Sequence, residues 1–98
     1  MKIVIDTSDW KDLQDFYRAI LKELGAPDWH GHNINALIDS VVYGDINSVE
    51  PPFLIILKGL ASRSDGILEI VEREIGLLME AKADHDGGIN GDVCFAIE

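Results

Sequence analysis

The sequence is poor in cysteine and in basic residues. Its 98 residues include one cysteine, Cys94, so the chain can form neither an internal disulfide nor a zinc site built from several cysteines. It has eight Lys and Arg against 18 Asp and Glu, a net charge of −10 with histidine neutral. Phosphate backbones and anionic membranes are bound through Lys and Arg. The composition therefore argues against a protein that binds nucleic acid or such a membrane surface.

Long hydrophobic runs are also missing. No stretch reaches the roughly 18 consecutive apolar residues that a membrane span needs. The apolar run near the N-terminus stops at Asp6, so we expect no secretory signal. A single cysteine is compatible with a reducing compartment. Because 47% of the residues are hydrophobic, the chain can still bury a core. We expect one soluble, cytoplasmic domain over residues 1–98.

Three short apolar segments predict β-strands, at residues 2–6, 53–58 and 93–97. The second begins with five consecutive apolar residues, which is typical of a strand covered on both faces in a parallel sheet. The segments between these strands have the apolar spacing of helices, so the order of elements is β-α-α-β-α-β. Helical crossovers favour parallel pairing with right-handed connections. The predicted fold is an α/β domain in which a three-stranded parallel sheet packs against helices.

Apolar spacing and capping residues place the three helices. The first has an apolar stripe from Trp10 to Leu24 and should end at Gly25, before Pro27. The second spans about residues 34–42 after Asn33 as its N-cap. The third should end near Lys82 or Ala83. The N-cap candidates are Thr7, Ser8 or Asp9 for the first helix, and Ser62 or Ser64 for the third.

No catalytic motif is present. The sequence lacks the phosphate-binding, zinc-protease and serine-hydrolase patterns. Cys94 lies within an apolar strand, so we expect it to be a buried and unreactive core residue. The acidic group of Glu69, Glu72 and Glu74 should lie on a solvated face of the third helix.

Two histidines in one loop, His30 and His32, leave an alternative open. Together with Asp28 or Asp39 they could bind zinc in a small metal-dependent enzyme. One imidazole could instead be exposed while the other donates to a backbone carbonyl, or a histidine could contact a partner and make its binding pH-sensitive. Two histidines in an irregular loop are a weak metal signal. We therefore expect no metal, no other cofactor and no enzymatic activity.

The distribution of charge is more informative than its total. Residues 23–57 contain no Lys or Arg but five acids, together with Trp29, Tyr43 and Phe53. The acids are Glu23, Asp28, Asp39, Asp45 and Glu50. An acidic surface with aromatic anchors fits a partner with a basic cleft, because complementary charge accelerates encounter. The same acids could equally serve solubility alone.

Two short motifs accompany the predicted order of elements. The first is Lys22-Glu23-Leu24, then Pro27-Asp28-Trp29-His30-Gly31-His32-Asn33, then Ala36-Leu37-Ile38-Asp39. The second is Glu80-Ala81-Lys82-Ala83. In these motifs and in its order of elements, the chain resembles the barstar family of intracellular ribonuclease inhibitors.

The resemblance implies a mechanism and a set of partner-binding residues. In this family the second helix and the loop before it enter the basic active site of a nuclease. Asp39 would take the place of a substrate phosphate, Trp29 would pack against the nuclease, and Glu80 would be a peripheral acid. Asn35, His30 and Ile38 depart from the family, which has an aspartate, a second aromatic and an aromatic at those positions. Ser40 replaces a cysteine.

The functional prediction follows from this resemblance. We expect an inhibitor or immunity protein, monomeric when free, that plugs a basic, extracellular-type ribonuclease or toxin. Its contacts would be Asp39, Asn35, Trp29, His30 and Glu80. The altered residues leave open an alternative, a barstar-like interaction module whose partner is not a nuclease.

Overall fold

A three-stranded parallel sheet forms the centre of the fold. The computed structural model describes residues 1–27, 31–43, 49, 52–85 and 93–98. Strands β1 (Lys2–Asp6), β2 (Phe53–Lys58) and β3 (Val93–Ile97) follow one another across the sheet, and both pairings are parallel. These bounds match the three predicted strands. The predicted α/β architecture is confirmed.

The helices lie on one face of this sheet. They are α1 (Leu13–Glu23), α2 (Ile34–Ile38), which continues into a π-helical segment (Asp39–Tyr43), and α3 (Ile67–His85). Successive right-handed crossovers in the strand order β1-β2-β3 carry every helix to the same face. Side chains of β1 alternate accordingly: Ile3 and Ile5 are buried, whereas Val4 is exposed. No helix within the described ranges is long and apolar enough to span a bilayer.

The core lies between the inner face of the sheet and the helices. Phe16 is the largest fully buried side chain among the described residues, and its ring meets Trp10 edge-on with centroids 5.9 Å apart. Each helix contributes at least one fully buried residue. Within the described ranges, the apolar residues with no exposed surface are Phe16, Ile20, Leu24, Leu37, Leu57, Leu60, Val71, Leu78 and Val93.

The first helix begins later than its apolar stripe suggested. Asp12, not Thr7, Ser8 or Asp9, is its N-cap, and it forms a reciprocal capping box with Asp15. The predicted caps were wrong because residues 7–10 form a separate turn: Thr7 is fully buried and its hydroxyl donates to the Lys58 carbonyl at 3.1 Å. Trp10 reaches the core from this turn.

The end of α1 is as predicted. Gly25 has a φ of 70°, the left-handed region that favours glycine. The N–H of Gly25 donates to the Lys22 carbonyl at 3.1 Å, and the N–H of Ala26 donates to the Leu21 carbonyl at 2.9 Å. These two bonds form a Schellman motif, which satisfies carbonyls left without helical partners.

The third helix starts at Ile67, after both predicted caps, and it ends at His85, close to the predicted end near Lys82 or Ala83. Ser62 is not its cap, because its hydroxyl donates to the Gly59 carbonyl within a turn. Instead, the carboxylate of Asp65 accepts from the N–H of Ile67 at 3.4 Å. Asp65 also pairs with Arg63, and that hydrogen bond is the main cause that lowers the pKa of Asp65.

Two further predictions about individual side chains were wrong. Cys94 is exposed, because it stands at an outward position of β3, opposite Leu54 of β2, on the face that carries no helix. Glu74 is half-buried rather than solvated. It lies on the side of α3 nearest α1, where it accepts a hydrogen bond from the hydroxyl of Tyr17 at 2.5 Å.

Candidate protein-binding site

The short helix α2 and the π-helical segment present Asp39 at their junction. Asn33 caps α2 as predicted: its side-chain oxygen accepts from the N–H of Ala36 at 2.8 Å. The predicted single helix over 34–42 is therefore divided into an α part and a π part. Asp39 ends the first and begins the second, and its side chain is exposed. Single π turns are frequent at functional sites.

Burial of its neighbours fixes the direction of Asp39. Leu37, Ser40 and Val41 are all buried, with exposed fractions of 3% or less. The Ser40 hydroxyl donates to the Leu37 carbonyl at 3.2 Å, so its burial leaves no unsatisfied donor. With these residues directed into the core, Asp39 stands on the solvent side of the segment.

A groove of about 300 Å³ runs between α2 and α3. It brings together two of the residues predicted from the sequence, Asn35 and Glu80, but it does not include Asp39. Apolar side chains from both helices supply much of its surface. The complete lining is Ile34, Asn35, Ile38, Leu77, Glu80, Ala81 and Asp84.

Sequence reasoning missed Leu77 and Asp84 in this groove. Leu77 lies three residues before Glu80 and Asp84 four residues after it, which places all three on one face of α3. Helical spacing around Glu80 could have identified them. Leu77 is 44% exposed, so it contributes apolar surface at the edge of the groove.

The groove is acidic, and no residue that the structure describes neutralises it through an ion pair. Among the described residues the ion pairs are Arg18 with Asp15 and Arg63 with Asp65, each at 2.7 Å. Neither pair reaches α2. The described part of the chain thus offers no cation within ion-pair distance of Asp39, Glu80 or Asp84. Their carboxylates are available to an external cation.

Trp29 and His30, the remaining predicted contacts, lie outside the described residues, as does Asp28. His32 is described and exposed, and its carbonyl accepts from the Gln14 side chain at 3.2 Å. Over the described ranges, no three His, Cys, Asp or Glu side chains are grouped to hold a metal ion. The zinc arrangement considered for His30 therefore stays a hypothesis about residues that the structure does not describe.

Comparison with known proteins identifies a family. The family model described as "Barstar (barnase inhibitor)" matches residues 1–90, which include β1, β2 and all of the helices. A Bacillus subtilis (strain 168) protein named "Putative ribonuclease inhibitor YrdF" is 28% identical over 78 residues. That match covers 72% of this chain and 81% of the Bacillus protein.

Proposed function

Because this chain belongs to the barstar family, a family of inhibitors and not of enzymes, we propose that it inhibits a ribonuclease by occupying its basic active site. The name of the Bacillus relative supports the same role. The target would be a ribonuclease toxin of the extracellular type, from which this chain protects the cytoplasm of the cell. The single observation that carries the proposal is the exposed carboxylate of Asp39 on α2 and its π-helical extension, which forms no ion pair with any described residue.

Asp39 is the proposed central contact. A nuclease active site holds Arg and Lys side chains that bind the substrate phosphate, and a carboxylate can accept the same charge-assisted hydrogen bonds. Since Ser40 and Leu37 anchor the segment in the core, Asp39 is held in place before binding. A preorganised group loses less conformational entropy when the complex forms.

The groove between α2 and α3, whose lining residue Ile38 precedes Asp39 in the chain, is the proposed second contact. A basic side chain of the nuclease would lay its aliphatic stem against Ile38 and Leu77 and direct its charge towards Glu80 and Asp84. Asn35 would offer a neutral amide where the family has an aspartate. Trp29 and His30 would extend this surface from the preceding loop.

The experiment is an inhibition and binding assay with barnase and other basic microbial ribonucleases. Asp39→Ala should weaken binding by about 30-fold or more, since a central hot spot contributes about 2 kcal/mol or more. Glu72→Ala is the matched control: it also removes one acid, but it lies five positions from Leu77, roughly 140° around α3. Asp65 would be a poor control because it pairs with Arg63 and contacts the start of α3.

Salt provides a second readout. Because the proposed contacts are between charges, affinity should fall as ionic strength rises. If Asp39→Ala and Glu72→Ala weaken binding equally, Asp39 is not the central contact.

A second candidate function is a barstar-like interaction module with a partner other than a nuclease. Asn35 and Ile38 favour it, because both line the groove and both depart from the family pattern. Affinity capture from native cell extract with mass spectrometry distinguishes the two. A basic ribonuclease in the eluate supports inhibition; a different protein, captured while no ribonuclease is inhibited, supports the module.

A further inference from the structure

A stripe of five residues follows the solvent side of α3. Ile70, Arg73, Leu77, Glu80 and Asp84 recur at alternating intervals of three and four positions. This is the spacing with which one helix presents a seam to another helix. All five side chains are exposed.

The apolar residues of the stripe, Ile70 and Leu77, remain exposed to solvent in the described part of the chain. Among the described residues the exposed large apolar side chains are Met1, Val4, Ile70 and Leu77. The first two lie at β1, and the other two lie on this one face of α3, two helical turns apart. Leu77 also borders the groove, so apolar surface from Ile34 and Ile38 continues directly from it.

Two charged residues of the stripe, Arg73 and Glu80, are placed so that two copies of α3 can pair them with each other. Arg73 precedes Leu77 by four residues and Glu80 follows it by three, so they lie about 6 Å and 4.5 Å from it along the axis. Two copies of α3 that cross antiparallel at Leu77 place each Arg73 beside Glu80 of the second copy. The axial offset of roughly 1.5 Å is small for an arginine side chain. Parallel copies would oppose Arg73 to Arg73 and Glu80 to Glu80.

We propose that a second copy of this chain docks on this face, with α3 antiparallel to α3 across a two-fold axis at Leu77. Such an interface is isologous, so each attractive pair occurs twice. Arg73 is available for it, because neither of the ion pairs in the described ranges includes it. Leu77 of the second copy covers Leu77 and the mouth of the groove, while Ile70 and Asp84 lie at the rim.

The pairing is weak and depends on concentration. The seam is short, and each copy carries a net charge of −10, so the two copies repel one another at long range. The chain is then monomeric when dilute, as expected from its sequence, and dimeric when concentrated. Because Glu80 and the groove lie inside the interface, dimerisation covers them. The pairing itself does not depend on what else binds there.

Sedimentation of the full chain at physiological ionic strength tests the proposal. Between about 10 μM and about 1 mM, the mass should rise from 10.8 kDa towards twice that value. Leu77→Asp should remain monomeric. Arg73→Glu and Glu80→Arg should each weaken association at least tenfold. The double variant, in which the two charges are exchanged, should regain the wild-type association.

Matched controls separate the interface from general charge effects. Val4→Asp changes the net charge by the same amount as Leu77→Asp, and Lys2→Glu by the same amount as Arg73→Glu. Both controls lie on the face of the sheet that carries no helix. Both should dimerise like the wild type, and circular dichroism verifies that each variant is folded. The proposal is overturned if the wild type is monomeric at about 1 mM. Failure of the charge exchange to restore association, or loss of association in the two β1 controls, overturns it as well.

Discussion

Replacement of Tyr17 by phenylalanine tests how α1 is tied to α3. Tyr17 is 2% exposed, and its hydroxyl donates to the half-buried carboxylate of Glu74 at 2.5 Å. This is a hydrogen bond between helices far apart in sequence. Tyr17→Phe removes the donor and keeps the ring, so it leaves the aromatic contact with Phe16 in place.

The expected cost follows from the type of hydrogen bond. A hydrogen bond to a charged acceptor contributes about 1.5–3 kcal/mol, and the carboxylate that remains is partly shielded from water. We therefore expect Tyr17→Phe to lower the free energy of unfolding by about 2 kcal/mol. For a chain of this size, that corresponds to a fall in Tm of about 10 °C.

Urea unfolding followed by circular dichroism measures this difference. In a double-mutant cycle with Glu74→Ala, the cost of Tyr17→Phe should largely disappear, because the acceptor is already absent. A cost below about 0.5 kcal/mol, or an equal cost in both backgrounds, would refute the assigned role of the hydrogen bond.

Alkaline pH offers a second test of the same bond. Burial, followed by the hydrogen bond to Glu74 and its negative charge, raises the pKa of Tyr17 above its ordinary value. A raised pKa means that the protonated hydroxyl stabilises the folded state below the unfolded pKa of about 10, and that this stability is lost as pH rises above it. The wild type should lose more stability than Tyr17→Phe between about pH 9 and pH 11. Parallel pH profiles would contradict this cause.

Three other substitutions or treatments test separate parts of the fold. Asn33→Ala should lower the free energy of unfolding in urea by about 1 kcal/mol, because the Asn33 side-chain oxygen accepts from the Ala36 N–H at 2.8 Å and so caps the first turn of α2. An unchanged urea midpoint would show that this cap does not stabilise the fold. Cys94 should react with a thiol reagent in the native state as readily as in urea, since it is exposed, whereas protection would contradict its outward position. Arg63→Ala should lower Tm, because the guanidinium donates to the carbonyls of Thr7 and Trp10, and Arg63→Lys should not restore it.

Local signals predicted the strands and the end of α1. Each strand is a short apolar run bounded by polar or turn residues. This local pattern is sufficient to predict where each strand begins and ends. Gly25 ends α1 because the Schellman motif requires a left-handed residue at that position. In these cases the determining interactions lie within a few residues along the chain.

Helix starts could not be predicted in the same way. Thr7, Ser8 and Ser62 are all good N-caps by type, but they bond elsewhere. The Thr7 hydroxyl donates to the Lys58 carbonyl, the Ser8 N–H to the Asp6 carboxylate and the Ser62 hydroxyl to the Gly59 carbonyl. Distant partners decide this competition: Thr7 bonds to the carbonyl of Lys58, 51 positions away. The π-helical segment at Asp39 likewise has no local signature, and its neighbours Leu37 and Ser40 are held by the core.

The features of the candidate site also fall into two groups, those set by local sequence and those set by distant contacts. The sequence by itself determined that the segment around Asp39 is acidic and free of cations, because charge and motif are properties of the chain. Only the tertiary structure decided that Asn35 and Glu80 share one groove and that Cys94 faces outward. Those facts depend on which faces of α2, α3 and the sheet meet. That geometry is set by packing between residues distant in sequence.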